Sequence, residues 1–217
     1  MAIRNILFDL DGTLLDTLAD LTNCVNYAME QFSLPTLPAW QVRRYLGRGI
    51  RYLVSCCVPG GEAHPDFEAI FRTFRSNYDI HCRDLTRPYD GVGEMLAELK
   101  AAGYRMALVS NKVDSAVQAL YQDFYRDTLA FALGQQEGLR NKPAPDMPLL
   151  ALERLGAESA ETVYVGDSEV DFETAKNSGL PCVLVTWGFR DRPELERLGA
   201  AAMIDAPEEL LPLLRRL

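Results

Sequence analysis

The sequence predicts an α/β fold: a parallel sheet covered on both faces, interrupted after its first strand by a helical insert. Three observations predict it. Short apolar runs recur at Asn5–Asp9, Arg105–Ser110, Thr128–Leu133, Thr162–Asp167 and Pro181–Thr186, with a weaker one at Ala201–Ile204. Buried parallel strands read as such runs. Helical periodicity separates most of them, as in Val92, Met95, Leu96 and Leu99, and in Leu149, Leu150, Leu152 and Leu155. The third observation is a gap, because no strand-like run lies between Asp9 and Arg105.

Each element carries its own signal. The first strand ends in Asp9-Leu10-Asp11-Gly12-Thr13. Asp is a poor strand former, so two of them there need a reason. Gly12-Thr13 supplies a tight turn whose backbone N–H groups suit an anion. In the gap, Leu18, Leu21, Val25, Met29 and Phe32 form a helical stripe, and Phe67, Ile70, Phe71 and Phe74 continue the helical pattern. Residues 18–82 are therefore expected to form a helical cap, leaving 1–17 and 83–217 as the core. Its stretch Arg43–Arg51 holds four Arg and no acid. Arg48 and Arg51 are candidates for gripping a substrate carboxylate, set against the plainer reading of a solvated helix face.

The remaining strand ends are polar. The second ends in Ser110-Asn111-Lys112, Lys142-Pro143 follows the third, and the fourth ends in Gly166-Asp167-Ser168 with Asp171 four residues on. Asp167 and Asp171 also have the spacing of acids that start a helix. Ligands in open parallel sheets bind outside the strands' C-terminal ends. One sheet edge is expected to collect Asp9, Asp11, Ser110, Lys142 and Asp167.

Composition removes several function classes. The chain has 217 residues, 48% hydrophobic and 24% charged, which are ordinary globular values. Its net charge of −9 argues against a nucleic-acid partner. The balance is uneven: residues 18–82 hold six acids and six Arg, so the excess lies in the core. No apolar run approaches the roughly 20 residues that span a bilayer, so no membrane partner is expected. Two Asp stand where a signal peptide needs its apolar stretch, which points to the cytoplasm. Five Cys without a CxxC fit reduced thiols, and His64 and His81 have no zinc spacing. A P-loop, a complete GxGxxG and a nucleophile elbow are all missing.

Several carboxylates at one place repel each other and call for a cation. Without His or Cys ligands, the hard oxygen set favours Mg2+, which also binds substrate phosphate. Asp forms covalent phospho-enzymes, and a second Asp can protonate a leaving alcohol and then activate water. Lys and hydroxyl groups hold the transferring oxygens.

The stretches Asp9-Leu10-Asp11-Gly12-Thr13, Ser110-Asn111, Lys142-Pro143 and Gly166–Asp171 resemble, in order and spacing, the four motifs of the haloacid-dehalogenase superfamily. The resemblance covers nearly the whole chain. It implies a doubly wound, Rossmann-like parallel sheet with a small helical cap after the first strand. It implies Asp9 as nucleophile and Asp11 as general acid/base. Gly12, Ser110, Asn111 and Lys142 would bind phosphate. Asp9, Asp11 (through its carbonyl) and Asp167 would bind Mg2+, with Thr13 and Asp171 in support. Asp11 is absent from the family's dehalogenases, so the reaction expected is phosphomonoester hydrolysis. Leu46-Gly47-Arg48-Gly49, Pro88-Tyr89-Asp90-Gly91, Ser110-Asn111-Lys112 and Val185–Phe189 resemble the phosphoglycolate phosphatase branch. That branch implies 2-phosphoglycolate or a similar small phosphorylated metabolite, handled by a monomer or homodimer. A β-phosphoglucomutase-like mutase is the nearest rival. A phospho-Asp signalling module is the rival from another class, and the insert and Asp11 speak against it.

Overall fold

A computed structural model describes residues 2–217. The strands are β1 (Asn5–Phe8), β2 (Leu15–Asp16), β3 (Arg87–Pro88), β4 (Arg105–Val113), β5 (Ala132–Gln135), β6 (Thr162–Gly166), β7 (Cys182–Val185) and β8 (Ala202–Ile204). The helices are α1 (Leu18–Gln31), α2 (Ala39–Arg43), α3 (Ile50–Cys57), α4 (Phe67–His81), α5 (Val92–Ala101), α6 (Asp114–Leu120), α7 (Asp146–Leu155), α8 (Glu169–Asn177), α9 (Arg192–Glu196) and α10 (Leu210–Leu214). The chain divides into two compact units, one of residues 1–15 and 88–217 and the other of residues 16–87.

The first unit is built on a six-stranded sheet of order β5-β4-β1-β6-β7-β8. Every pairing in it is parallel. Strand side chains alternate between faces, and the core divides accordingly. Ile6 and Phe8 of β1, Met106 and Leu108 of β4, Val163 and Val165 of β6, and Val183 and Val185 of β7 pack in one cluster with α5, α6 and α10. Leu7, Ala107, Val109, Tyr164, Cys182 and Leu184 pack in the other, with α7, α8 and α9. Both faces are covered, which is why the strands read as unbroken apolar runs.

Three details differ from the sequence reading. The strand expected from Thr128 begins at Ala132, because Thr128 and Leu129 donate backbone bonds to Tyr125 O and extend the preceding helical turn. β4 continues through Ser110-Asn111-Lys112 to Val113, so this polar triplet lies within a strand. Leu149 is exposed on α7; Met147 and Ala151 take its place against the sheet.

In the second unit, α1 buries Leu21, Val25 and Met29 and α4 buries Phe67, Ile70, Phe74 and Tyr78. Asp20 is buried there and accepts the N–H groups of Leu85 and Thr86 at 2.8–3.1 Å, tying the segment's end to its first helix. All five Cys are free thiols.

Candidate active site

β1 lies between β4 and β6, so the C-terminal ends of all three meet. Asp9 follows β1, and its N–H donates to Val165 O of β6 at 2.9 Å. Its Oδ1 accepts a 2.6 Å bond from Lys142 Nζ. The same ammonium donates to Asp171 Oδ1 at 2.8 Å and to Tyr164 Oη at 3.1 Å. Three acceptors thus take the three donors of one lysine. Asn111 fixes that lysine's backbone: its Oδ1 accepts Lys142 N at 2.7 Å and its Nδ2 donates to Lys142 O at 3.0 Å.

Asp171 has two tasks. Its Oδ1 faces Lys142, while its Oδ2 accepts Ser168 N at 3.2 Å, Ser168 Oγ at 2.6 Å and Asp167 N at 3.3 Å. It closes the capping box that starts α8. The helix-start reading of Asp171 therefore holds, and the same side chain also accepts a bond from Lys142. Asp167 turns its Oδ2 to Phe189 N, which donates at 2.6 Å.

Oxygens of Asp9, Asp167 and Asp171 all lie within 4.8 Å of one another, and all three residues are buried. Burial pushes the Asp9 carboxyl well above the usual carboxylate range, and the Asp171 charge adds to the effect. Burial and Asp171 likewise push Asp167 up to about 7. Burial opposes the charge on Lys142, but Asp171 and Asp9 outweigh it and hold the ammonium above its ordinary range. Asp9 and Asp171 share the Lys142 ammonium. An all-oxygen donor set with this excess of acid fits a divalent hard cation such as magnesium.

The turn after β1 is shaped to this cluster. Gly12 has φ +91°, and a Cβ there would overlap the Asp167 carboxylate. A Cβ on Gly188 would overlap Gly12 O and the Asp167 side chain. Both positions need glycine so that the backbone can approach the carboxylate. Thr13 is buried with no partner for its Oγ1, while its carbonyl accepts Trp187 Nε1 at 3.0 Å. Ser110 is buried on β4, and its Oγ accepts Lys112 N at 3.1 Å.

Asp11 stands apart from the three-carboxylate cluster. Its Oδ1 accepts a 2.8 Å bond from Lys112 Nζ. Lys142 therefore serves Asp9 and Asp171, while Lys112 serves Asp11. Arg48 and Arg51 belong to the other unit. There, Arg51 Nη2 reaches Glu62 at 3.0 Å and Glu68 at 2.6 Å, and its guanidinium lies over Phe67 and Phe71. Arg48 lies over Tyr52, 5.4 Å from the ring centroid.

Sequence reasoning read Lys112 only as part of Ser110-Asn111-Lys112, with no role of its own, and missed Tyr164 and the Phe189 amide. Lys112 follows Ser110-Asn111 directly, and three successive polar residues at a strand end were the available signal. Tyr164, between Val163 and Val165, looks like a core residue, and nothing in the sequence shows its hydroxyl. The Phe189 amide is a backbone donor with no residue-type signature.

A sheet edge that gathers carboxylates and lysines behind a Gly-bearing turn defines a carboxylate-based hydrolase. The chain belongs to the haloacid dehalogenase-like hydrolases, whose family model matches residues 6–185. It is similar to the phosphoglycolate phosphatase of Caulobacter vibrioides, with 35% identity over 96% of this chain and 91% of that protein. It is also similar to the N-acetylmuramic acid 6-phosphate phosphatase of Pseudomonas aeruginosa, with 30% identity over 100% of this chain and 96% of that one. Among solved structures, a Lactobacillus delbrueckii subsp. bulgaricus protein provisionally described as a phosphoglycolate phosphatase superposes with a TM-score of 0.94. It is 32% identical and covers 99% of each chain. The chain is a phosphatase-type enzyme of this family. Among the described residues, no helix is long and apolar enough to cross a membrane.

Proposed function

We propose that the enzyme is a magnesium-dependent phosphomonoesterase that works through a phosphorylated Asp9. The observation that carries this reading is the cluster of three buried carboxylates, Asp9, Asp167 and Asp171, with the Lys142 ammonium bonded to Asp9 and Asp171. Asp9, Asp167 and the carbonyl of Asp11 would hold the metal, with Asp171 in support. The metal would supply charge neutralisation, letting a carboxylate approach a phosphate dianion.

Asp9 attacks phosphorus through a carboxylate oxygen as the bond to the leaving oxygen breaks. Asp11 gives its proton to that oxygen, then takes one from the water that hydrolyses the acyl phosphate. Lys142 and Ser110 hold the transferring oxygens, and the backbone N–H groups of Gly12 and Thr13 add donors. Thr13 Oγ1, which is buried without a partner, is suited to the same oxyanion. Asn111 acts one step back by clamping the Lys142 main chain.

The proposed substrate class is a small phosphomonoester that also bears a carboxylate. The two relatives' names, phosphoglycolate and N-acetylmuramic acid 6-phosphate, share that chemistry. Residues 18–82 are the proposed cap. Within it, Arg48 and Arg51 are the candidates for a substrate carboxylate, and Arg51 would have to exchange its pairs with Glu62 and Glu68. A phosphate-release screen over both compounds and simple sugar phosphates, with and without magnesium, tests the proposal. Release from a carboxylate-bearing ester that stops on chelation is the expected result. Isomerisation without release would move the assignment to a mutase.

A further inference from the structure

We propose that Lys112 is a positioning residue for Asp11: it holds one oxygen of that carboxylate so that the other carries the proton to the leaving group. The inference rests on the phosphatase reading above and adds to it a role for Lys112.

The geometry is specific. Lys112 Nζ bonds to Asp11 Oδ1 at 2.8 Å, and the two residues come from different strand ends, 101 positions apart in sequence. The lysine side chain is 2% exposed and the aspartate side chain 19%. The pair is therefore closed on the lysine side and open on the aspartate side. An ammonium on a flexible stem is an unusual group to bury. It persists when paired, and Asp11 lies within ion-pair distance of it. Lys142, in contrast, spends its donors on Asp9, Asp171 and Tyr164 and is not aimed at Asp11. The backbone reinforces the assignment, because Lys112 N donates to Ser110 Oγ and β4 continues through Lys112. The lysine is anchored on a strand rather than a loop, so it can define the direction of Asp11.

A carboxylate on the turn after β1 has rotamer freedom of its own. General acid catalysis needs its proton within hydrogen-bond reach of the leaving oxygen. With Oδ1 taken by Lys112, Oδ2 is the oxygen left to hold that proton. Loss of Lys112 then costs proton delivery while leaving phosphate binding to Lys142 and Ser110.

That difference can be measured with leaving groups. A p-nitrophenolate departs without a proton, whereas an alkoxide does not. The full-length enzyme with magnesium is assayed on p-nitrophenyl phosphate and on the best alkyl phosphomonoester, comparing kcat/KM for Lys112→Met, Lys112→Arg, Asp11→Asn and the double variant Asp11→Asn/Lys112→Met. Lys112→Met should lower kcat/KM on the alkyl ester by about 10²-fold or more and much less on p-nitrophenyl phosphate, as Asp11→Asn does. Lys112→Arg should recover part of the loss. In the Asp11→Asn background, removing Lys112 should change kcat/KM by only about twofold. Equal losses on both esters, or effects that multiply in the double variant, would overturn the positioning role. Asp11→Asn also restores the charge balance if Lys112→Met alone folds poorly, so the double variant against Asp11→Asn still decides. Unchanged alkyl-ester turnover in Asp11→Asn would instead sink the phosphatase mechanism itself, a result separate from either outcome for Lys112.

Discussion

Ion pairs at the sheet edge and in the helical unit have similar lengths and opposite settings. Lys142–Asp9 and Lys142–Asp171 measure 2.6 and 2.8 Å, with side chains no more than 7% exposed. Arg51–Glu62 and Arg51–Glu68 measure 3.0 and 2.6 Å, with side chains 46–62% exposed. Distance alone does not separate them; solvent does. Exposed pairs gain little because water screens them and side-chain entropy opposes them. Buried charges cost desolvation that pairing only partly repays. A fold selected for stability alone would place apolar residues at the ends of β1 and β6. The proposed chemistry gives the sheet edge a use for its charges.

The largest expected effect is on turnover. Asp9→Asn removes the nucleophile and should abolish phosphate release from every phosphomonoester, measured by inorganic phosphate. Asp11→Asn should lower kcat by about 10²–10⁴-fold on alkyl esters, the usual worth of a general acid or base. Lys142→Met leaves the buried Asp9 and Asp171 without their ammonium. In magnesium-free buffer it should destabilise the fold by roughly 3–5 kcal/mol in denaturant unfolding, and added magnesium should narrow the difference.

A smaller effect follows from Asp167, whose carboxyl is pushed from its ordinary 3.8 up to about 7 by burial and Asp171. Between those values the folded metal-free protein holds a proton that the unfolded chain has released. Its stability must therefore fall as pH rises from about 4 to about 7. Asp167→Asn should flatten that slope in a pH series of thermal melts. Arg51→Ala should move the melting temperature least, which would confirm the contrast between the two settings.

The two settings were also unequally legible. The sheet-edge acids could be read because Asp9, Asp11 and Asp167 break the apolar pattern where strands should end. All six strands of the main sheet were legible as apolar runs for the same reason. Their limits were not, since Thr128–Leu129 and Ser110–Val113 are decided by backbone bonds to neighbouring elements. Partner choice was beyond the sequence as well. Lys142 and Lys112 are both lysines near a strand end, and only the fold assigns one to Asp9 and the other to Asp11. In the helical unit, the pairing of Arg51 with Glu62 and Glu68 was likewise not readable from the sequence.

The central claim is that Asp9 carries the phosphoryl group. Acid quenching during turnover of a phosphomonoester with magnesium, followed by peptide mass spectrometry, tests it most directly. The account predicts a phosphoryl adduct on the peptide containing Asp9, lost in Asp9→Asn together with activity. Full phosphate release from Asp9→Asn, with no adduct on any carboxylate, would contradict it.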